Sequence, residues 1–219
     1  MTRKRSLLGA SFSSARGGLI GTLAAAVLVL PACTLGPNGL RFLGSVNMGT
    51  VTVRPGEPAV FTVILAAAAP RPIRLVSIRL IPIPGVPTPR LAHVALLGPS
   101  MGYPAYTRDW PPSGGPGGRP FPIRPFYGVT VWPAERHHRG LPPAVLYAVV
   151  GTVPNTIYAV AGVRLGYVLD GRSYTAALYA AGEACVFPSP ATTAQFNWCG
   201  ARSDTLFKQV SKLAGSAPG

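Results

Sequence analysis

The chain has 219 residues, enough for one domain of ordinary size, and its hydrophobic share of 48% can supply a core. Its 26 glycines and 25 prolines argue against long regular helices. Only 12% of the residues are charged, 20 of them basic and six acidic, which excludes a coiled coil and a charge-rich disordered chain.

The N-terminal segment has the pattern of an export signal. Its basic residues are Arg3, Lys4, Arg5 and Arg16. An uncharged apolar run of 12 residues follows at 19–30. This length is typical of a signal peptide, whereas a membrane-spanning helix needs about 20 apolar residues. We therefore expect residues 1–32 to direct export, with an uncleaved single-pass anchor as the alternative.

The apolar run closes with Leu-Pro-Ala-Cys at residues 30–33, which resembles the lipobox of bacterial lipoproteins. In that motif an aliphatic residue, a variable position and a small residue precede the cysteine that is acylated. The resemblance implies that Cys33 begins the mature chain, carries diacylglyceryl and palmitate-type acyl groups, and anchors the protein to the extracytoplasmic face of the cell membrane. The alternatives are cleavage with release, or a Cys33 that is merely a small hydrophobe within a membrane segment.

The other two cysteines are expected to form a disulfide. If Cys33 carries lipid, Cys185 and Cys199 remain as one pair, which oxidises outside the cytoplasm. A bridge that closes a loop of about 15 residues adds about 3 kcal/mol in the chain-entropy model. It would tie the segment 187–219 to the domain. The alternative is a metal or redox pair, but the spacing fits no C-x-x-C pattern and no histidine lies nearby.

Beyond a Gly/Pro-rich tether at 33–47, the chain is predicted to form short strands. Apolar and β-branched runs between Pro/Gly turns predict strands at 46–53, 59–65, 73–81, 91–97, 127–132 and 144–153. The first two strands, separated by residues 54–58, are typical of a hairpin. Residues 73–81 have apolar side chains on both parities, which indicates a strand that is buried on both faces or bulged.

The clearest local pattern is a hairpin around Asp170 and Gly171. The odd positions of residues 161–169 are all apolar, which is the period of a half-buried strand. Asp-Gly fits a type I′ turn, in which both central residues have positive φ. Residues 172–186 are then expected to return antiparallel, with Cys185 near the end of that strand.

The strand count predicts an all-β fold, an antiparallel sandwich over residues 48–186 that is immunoglobulin-like in the loose sense. Residues 51–186 are similar in architecture to immunoglobulin-like domains of uncharacterised actinobacterial exported proteins, a resemblance that implies no catalytic residues. Within 187–219, the helical spacing of Leu206, Val210 and Leu213 predicts one short helix at about 204–213. Its expected cap is Ser203 or Asp204.

A long irregular stretch at 98–125 is the main candidate for a functional loop. The aromatic residues in or beside it are Tyr103, Tyr106, Trp110, Phe121, Phe126 and Tyr127. They are expected either to form a binding surface or to fold back as a lid over an open end of the sandwich.

Few residues are suited to catalysis. The carboxylates of the mature chain are Glu57, Asp109, Glu135, Asp170, Glu183 and Asp204. No phosphate-binding loop occurs in the sequence. We therefore predict that the protein is not an enzyme and uses no cofactor.

The competing interpretation is an extracytoplasmic metal-binding or hydrolytic envelope protein. Its candidate residues are His93, His137, His138, Asp109 and, as a further metal ligand, Met101. Adjacent histidines on an extended chain point apart, and flanking arginines repel a cation. We therefore favour the interpretation in which the protein has no metal site.

Charge indicates the kind of partner. Without the four basic residues of the signal, 16 basic and six acidic residues leave a net charge of +10. Next to a bilayer, this charge favours anionic lipid headgroups, anionic envelope polymers or another envelope protein, while export excludes nucleic acid. Arg71, Arg74, Arg79 and Arg90 surround one predicted strand and are expected to form a basic face; an evenly solvated surface is the alternative. The predicted role is a non-catalytic binding or envelope-structural module.

Overall fold

The computed structural model describes residues 40–42, 48–67, 71–98, 103–104, 107–113, 121–132 and 142–216, which all belong to the unit Leu35–Gly219. The predicted signal and Cys33 lie outside the described residues. The strands are β1 (Leu40–Phe42), β2 (Met48–Val53), β3 (Pro58–Ala67), β4 (Ile73–Pro82), β5 (Arg90–Leu97), β6 (Ile123–Pro125), β7 (Thr130–Val131), β8 (Ala144–Val150), β9 (Thr156–Leu169), β10 (Arg172–Leu178) and β11 (Ala181–Val186). One helix, α1 (Thr193–Gly215), follows them.

The strands form two sheets, which confirms the predicted all-β sandwich. Sheet 1 has the order β1-β3-β8-β5-β6, and sheet 2 has the order β2-β11-β9-β4-β7, with β10 also paired to β9. The pairings are antiparallel except that β2 runs parallel to β11. Sheet 2 is therefore mixed and not purely antiparallel as expected.

The core lies between the two sheets, and each sheet is also covered on part of its other face. Side chains of alternate positions, such as Phe61, Tyr147 and Leu165, fill the space between the sheets. On the outer face of sheet 1, Ala144 and Leu146 pack with loop aromatics. The result is four layers: loop, sheet 1, sheet 2 and helix.

The strand β4 carries a bulge, which is one of the two alternatives that its sequence left open. Its pairing with β9 shifts between Leu75 and Ser77, so that Val76 is the extra residue. Because the bulge reverses the parity, Leu75 and Ile78 both face the core while Val76 is exposed. The apolar residues on both parities of this strand are thereby explained.

A second irregularity divides β9 into two parts. The register against β4 shifts between Ile81 and Pro82, opposite Gly162 and Val160. Val160 and Val163 therefore both face the core, whereas Ala161 packs on the outer side of the sheet. The alternation predicted for residues 161–169 thus holds only from Val163 onward.

The hairpin at Asp170 and Gly171 is confirmed. Both residues have positive φ, 50° and 76°, and Leu169 pairs with Arg172 across the turn. The returning segment is two strands and not one, because it is interrupted between Leu178 and Ala181. The interruption lies against Gly162, where an added Cβ would approach the Leu178 carbonyl oxygen to 2.1 Å.

The predicted hairpin of the first two strands is wrong. The strand β2 pairs with β11 in sheet 2, whereas β3 pairs with β1 and β8 in sheet 1. A Pro/Gly turn specifies a change of direction but not hydrogen bonding between the strands that it joins. The turn instead crosses from one sheet to the other. In addition, β1 lies within the segment expected to be only a tether.

The C-terminal helix is longer than predicted. It spans 23 residues from Thr193 to Gly215, and Thr192 is its N-cap instead of Ser203 or Asp204. The Thr192 hydroxyl accepts a hydrogen bond from the Gln195 backbone N–H, while the Gln195 side chain accepts one from the Thr192 N–H. Leu206 and Val210, two of the three residues whose spacing predicted the helix, are buried. Among the described residues, no helix has the length and apolarity required to cross a bilayer.

A tyrosine hydrogen bond holds the connection between β8 and β9. The Tyr158 hydroxyl, near the start of β9, accepts a hydrogen bond of 3.1 Å from the Val153 backbone N–H. Gly151 leaves room for the ring, because a Cβ there would lie 2.4 Å from a Tyr158 ring carbon.

Candidate functional site: a basic face on sheet 2

Three arginines on neighbouring strands point outward from sheet 2. Arg74 and Arg79 belong to β4, and Arg164 belongs to the second part of β9; all three are exposed. We call this surface the arginine face. It extends over β4, β9 from Val163 onward, and β10.

Strand register places two of these arginines side by side. Arg79 pairs directly with Arg164, and Arg74 pairs with Val168. Directly opposed side chains have Cβ atoms about 4.5–5.5 Å apart, and like charges in this position are destabilising. Arg74 lies four β9 positions away, about 13 Å along the sheet.

One row between the arginines carries small side chains, and the exposed bulge residue Val76 lies beside it. One cross-strand row has Ser77 and Gly166 on β4 and β9, and Thr175 on β10. Gly166 leaves space for the Ser77 hydroxyl, since an added Cβ would lie 2.2 Å from its Oγ. The arginine side chains on either side of this row are exposed and therefore accessible to a ligand.

The nearest acidic group lies at the edge of the arginine face and is already paired. Asp170 in the hairpin turn forms an ion pair of 2.8 Å with Arg71. The side chains are 66% and 53% exposed for Arg71 and Asp170, so the pair contributes at most about 1 kcal/mol. No carboxylate occupies an outward position of the described strands β4, β9 or β10.

The basic face predicted from sequence is thus correct in part. Arg74 and Arg79 lie on it, and Arg71 lies at its edge. Arg90, in contrast, begins β5 in sheet 1. Arg164 takes its place, a residue that sequence proximity could not identify because it reaches Arg79 through strand pairing.

Three of the predicted loop aromatics cover sheet 1, whereas Phe126 lies in the core between the sheets and Tyr127 is exposed. Phe121, Tyr103 and Trp110 pack with Leu97 and Leu146 on its outer face. The Tyr103 hydroxyl donates a hydrogen bond of 2.8 Å to the Pro142 carbonyl, and burial raises the pKa of Tyr103 to about 12. One of the two expectations was that these rings fold back as a lid over an open end of the sandwich. They do fold back, but they cover the face of sheet 1 and not an open end. Tyr106 lies outside the described residues.

Of the residues of the competing metal or hydrolytic interpretation, His93 and Asp109 lie in the described part of the chain. His93 is exposed on β5 and stacks on Trp110, with ring centroids 5.2 Å apart. Asp109 is exposed and its backbone N–H donates to the Thr107 hydroxyl. His137, His138 and Met101 lie outside the described residues, so that interpretation stays a prediction.

The predicted disulfide between Cys185 and Cys199 is confirmed, and it joins β11 to α1. Beside it lies Glu183, which is fully buried and two residues before Cys185 on the same face of the strand. Its Oε2 accepts hydrogen bonds from the Ser203 hydroxyl at 2.5 Å and the Thr50 hydroxyl at 3.2 Å. We call these five residues the Glu183 cluster.

Burial dominates the electrostatics of the Glu183 cluster. Desolvation raises the pKa of Glu183, and the hydrogen bonds from Ser203 and Thr50 oppose that rise. One signal of this cluster is present in the sequence: a carboxylate two residues from a cysteine within a strand. Its partners Thr50 and Ser203 come from β2 and α1 and could not be inferred from that spacing.

No protein-family model matches the chain, and no curated protein matches its sequence.

Proposed function

We propose that this chain is an exported lipoprotein, anchored through Cys33 to the extracytoplasmic face of the cell membrane. Its immunoglobulin-like sandwich binds an anionic polymer of the cell envelope without catalysing a reaction. The arginine face is the observation that carries this proposal.

Charge placement supports an anionic partner for the arginine face. Arg79 and Arg164 are directly opposed, and within the described residues neither forms an ion pair. Their mutual repulsion is relieved when an anion lies between them. Arg74, about 13 Å away, favours a ligand with repeated negative charges over a single small anion.

The disulfide supports export. Structural disulfides persist in oxidising compartments and are rare in the cytosol. The bridge between Cys185 and Cys199 is fully buried. It therefore fits a mature domain outside the cytoplasm, where the envelope supplies polymers of negative charge.

Strand order supports the immunoglobulin-like assignment. The order β1-β3-β8-β5 corresponds to strands A-B-E-D of that fold, and β11-β9-β4 corresponds to G-F-C. The hydrogen bond from Val153 to Tyr158 lies at the corner before strand F, where such domains place a tyrosine. The chain departs from antibody domains because its disulfide joins β11 to α1 and not the two sheets.

The polymer proposal is tested by charge-matched variants. We would titrate the purified full-length chain, in an uncharged detergent, with polyphosphate. The variant Arg74→Gln/Arg79→Gln/Arg164→Gln should bind about ten- to a hundredfold more weakly, from about 0.5–1 kcal/mol for each exposed charge.

The control variant is Arg54→Gln/Arg90→Gln/Arg124→Gln, which removes the same charge from exposed positions elsewhere. It should change the affinity less than about threefold, because its arginines do not contact the polymer. Monomeric phosphate at equal phosphate concentration should bind more weakly than the polymer. Equal losses for both triple variants would show that net charge, and not the arginine face, is responsible.

The anchor is tested by mass spectrometry of the mature N-terminus. A diacylglyceryl group on Cys33 is expected, and Cys33→Ser should release or mislocalise the chain. An unmodified Cys33 in membrane-associated protein would reject lipidation while leaving the polymer proposal open to its own test.

A further inference from the structure

The Glu183 cluster contains a carboxylate and two hydroxyl groups that a structural disulfide does not require. A bridge between Cys185 and Cys199 needs no carboxylate beside it, and an isolated buried charge opposes folding. Yet Glu183 is the one charged residue that is buried in the described part of the chain. Its carboxylate oxygen and the two sulfur atoms all lie within 4.8 Å of one another.

We propose that Glu183, Cys185 and Cys199 form a binding site for a thiophilic divalent cation, zinc in particular, when the disulfide is reduced. The carboxylate and two thiolates are ligands that zinc accepts, and three protein ligands with one further position are a known zinc arrangement. All three side chains are fully buried.

Donor spacing fits this metal. In a tetrahedral zinc site, bonds of about 2.0–2.3 Å place donor atoms about 3.3–3.8 Å apart. Glu183 Oε1 already lies 3.4 Å from Cys185 Sγ and 3.5 Å from Cys199 Sγ. Only the two sulfur atoms must separate, and their Cα atoms, 6.3 Å apart, belong to different elements.

The two carboxylate oxygens have separate roles in this arrangement. Oε2 is held by the Ser203 and Thr50 hydroxyls, whereas Oε1 faces the sulfur atoms. Hydrogen bonds to a ligating carboxylate fix its orientation and tune the metal. Ser203 and Thr50 are therefore positioning residues for Glu183.

Charge is conserved between the two forms. An ionised Glu183 beside a disulfide has a net charge of −1, and Zn²⁺ with two thiolates and one carboxylate has the same charge. The metal form therefore adds no further net charge to the buried cluster. Disulfide and metal are alternative links between β11 and α1.

Zinc replaces the disulfide in two steps, reduction and metal binding. A dithiol reductant supplies two electrons and two protons, the sulfur–sulfur bond breaks to two thiols, and the reductant becomes a disulfide. Zn²⁺ then displaces both thiol protons into solvent, and two zinc–sulfur bonds and one zinc–oxygen bond form.

The test is metal binding by the full-length chain in uncharged detergent. After reduction and removal of free metal, Zn²⁺ is added and bound zinc is measured by native mass spectrometry, with Co²⁺ as a spectroscopic substitute. We expect one metal per reduced chain, none for the oxidised chain, and a cobalt–thiolate charge-transfer band. Glu183→Gln should lower the affinity at least about tenfold.

Asp204→Asn is the matched control, because it removes an exposed carboxylate from the same helix, next to Ser203. It should leave zinc affinity unchanged. If reduction loosens the fold, thermal unfolding still decides: Zn²⁺ should raise the Tm of the reduced wild type but not of the Cys185→Ser variant. Absence of zinc from the reduced chain, or equal affinity in Glu183→Gln, would overturn the proposal without affecting the arginine face.

Discussion

The two parts of β9 carry different outward-facing side chains, and their surroundings differ accordingly. Before Gly162, Ile157, Ala159 and Ala161 pack in a cluster with Cys199, Leu206 and Val210 of α1. After Gly162, the outward positions are Arg164, Gly166 and Val168, and none of them belongs to the cluster that α1 covers. One strand thus supports both a structural layer and an open surface.

This difference shows where function is to be sought. Apolar outward residues require a cover, and burying them stabilises the fold by about 25 cal/mol per Å² of apolar surface. The exposed arginines provide no comparable stabilisation of the fold. The direct pairing of Arg79 with Arg164 is destabilising, because like charges repel. Folding therefore explains the covered half of β9, before Gly162, and we propose that a partner explains the open half after it.

The largest effect is expected at the boundary between the two halves. Gly162→Ala places a Cβ 2.1 Å from the Leu178 carbonyl oxygen and 2.8 Å from the Ala180 nitrogen. Both are backbone atoms, so the strand break must move, and we expect a loss of about 3 kcal/mol or more in unfolding free energy. Denaturant unfolding measures it.

The control for this substitution is Gly166→Ala in the same strand. Its nearest neighbour is the Ser77 hydroxyl, a side-chain atom that can rotate away. A loss about as large as that of Gly162→Ala would show that the position of the strand break does not matter.

The next effect concerns the covered half alone. Cys185→Ala/Cys199→Ala removes the link between β11 and α1 and should lower the unfolding free energy by about 3 kcal/mol. Hydrogen exchange should show α1 opening before the hairpin of β9 and β10. Simultaneous opening of both would contradict an independent helical layer.

Glu183 should make the unfolding free energy depend on pH through the covered half. Because burial raises its pKa, the folded state binds a proton more tightly than the unfolded state, and stability falls as pH rises from the ordinary carboxyl range. Glu183→Gln should abolish this slope while remaining within about 1 kcal/mol of wild type at neutral pH, since the amide oxygen still accepts hydrogen bonds. Unfolding at a series of pH values measures both; an unchanged slope would contradict the assignment.

The smallest effect is expected in the open half. Arg79→Gln removes repulsion with Arg164 and should stabilise the fold by about 0.5 kcal/mol at low salt, less at high salt. Thermal unfolding at two salt concentrations checks this. Destabilisation at low salt would mean that Arg79 has a structural partner.

Features encoded by neighbouring residues were predictable from the sequence. The turn at Asp170 and Gly171 requires positive φ at two adjacent residues, and Asp-Gly meets that requirement. The apolar residues on both parities of 73–81 indicated either a bulge or burial on both faces, and the structure has the bulge at Val76. The pairing of Cys185 with Cys199 followed from the cysteine count under the expectation that Cys33 carries lipid.

Features created by distant residues were not predictable in this way. The sheet to which β2 belongs is decided by its pairing with β11, and the arginine face is completed by the pairing of Arg79 with Arg164. The first turns of α1 were not predicted, because Phe196 and Trp198 are exposed and interrupt the helical spacing of the buried apolar residues. The capping box of Thr192 and Gln195 was nevertheless present in the sequence.

The most direct test of the arginine face is hydrogen–deuterium exchange of the full-length chain, in uncharged detergent, with and without polyphosphate. The account predicts that polyphosphate slows exchange in β4, in β9 after Gly162 and in β10, and leaves α1 and β5 unchanged. Protection confined to α1 or to the loop at 107–113, with none on β4 and β10, would contradict it.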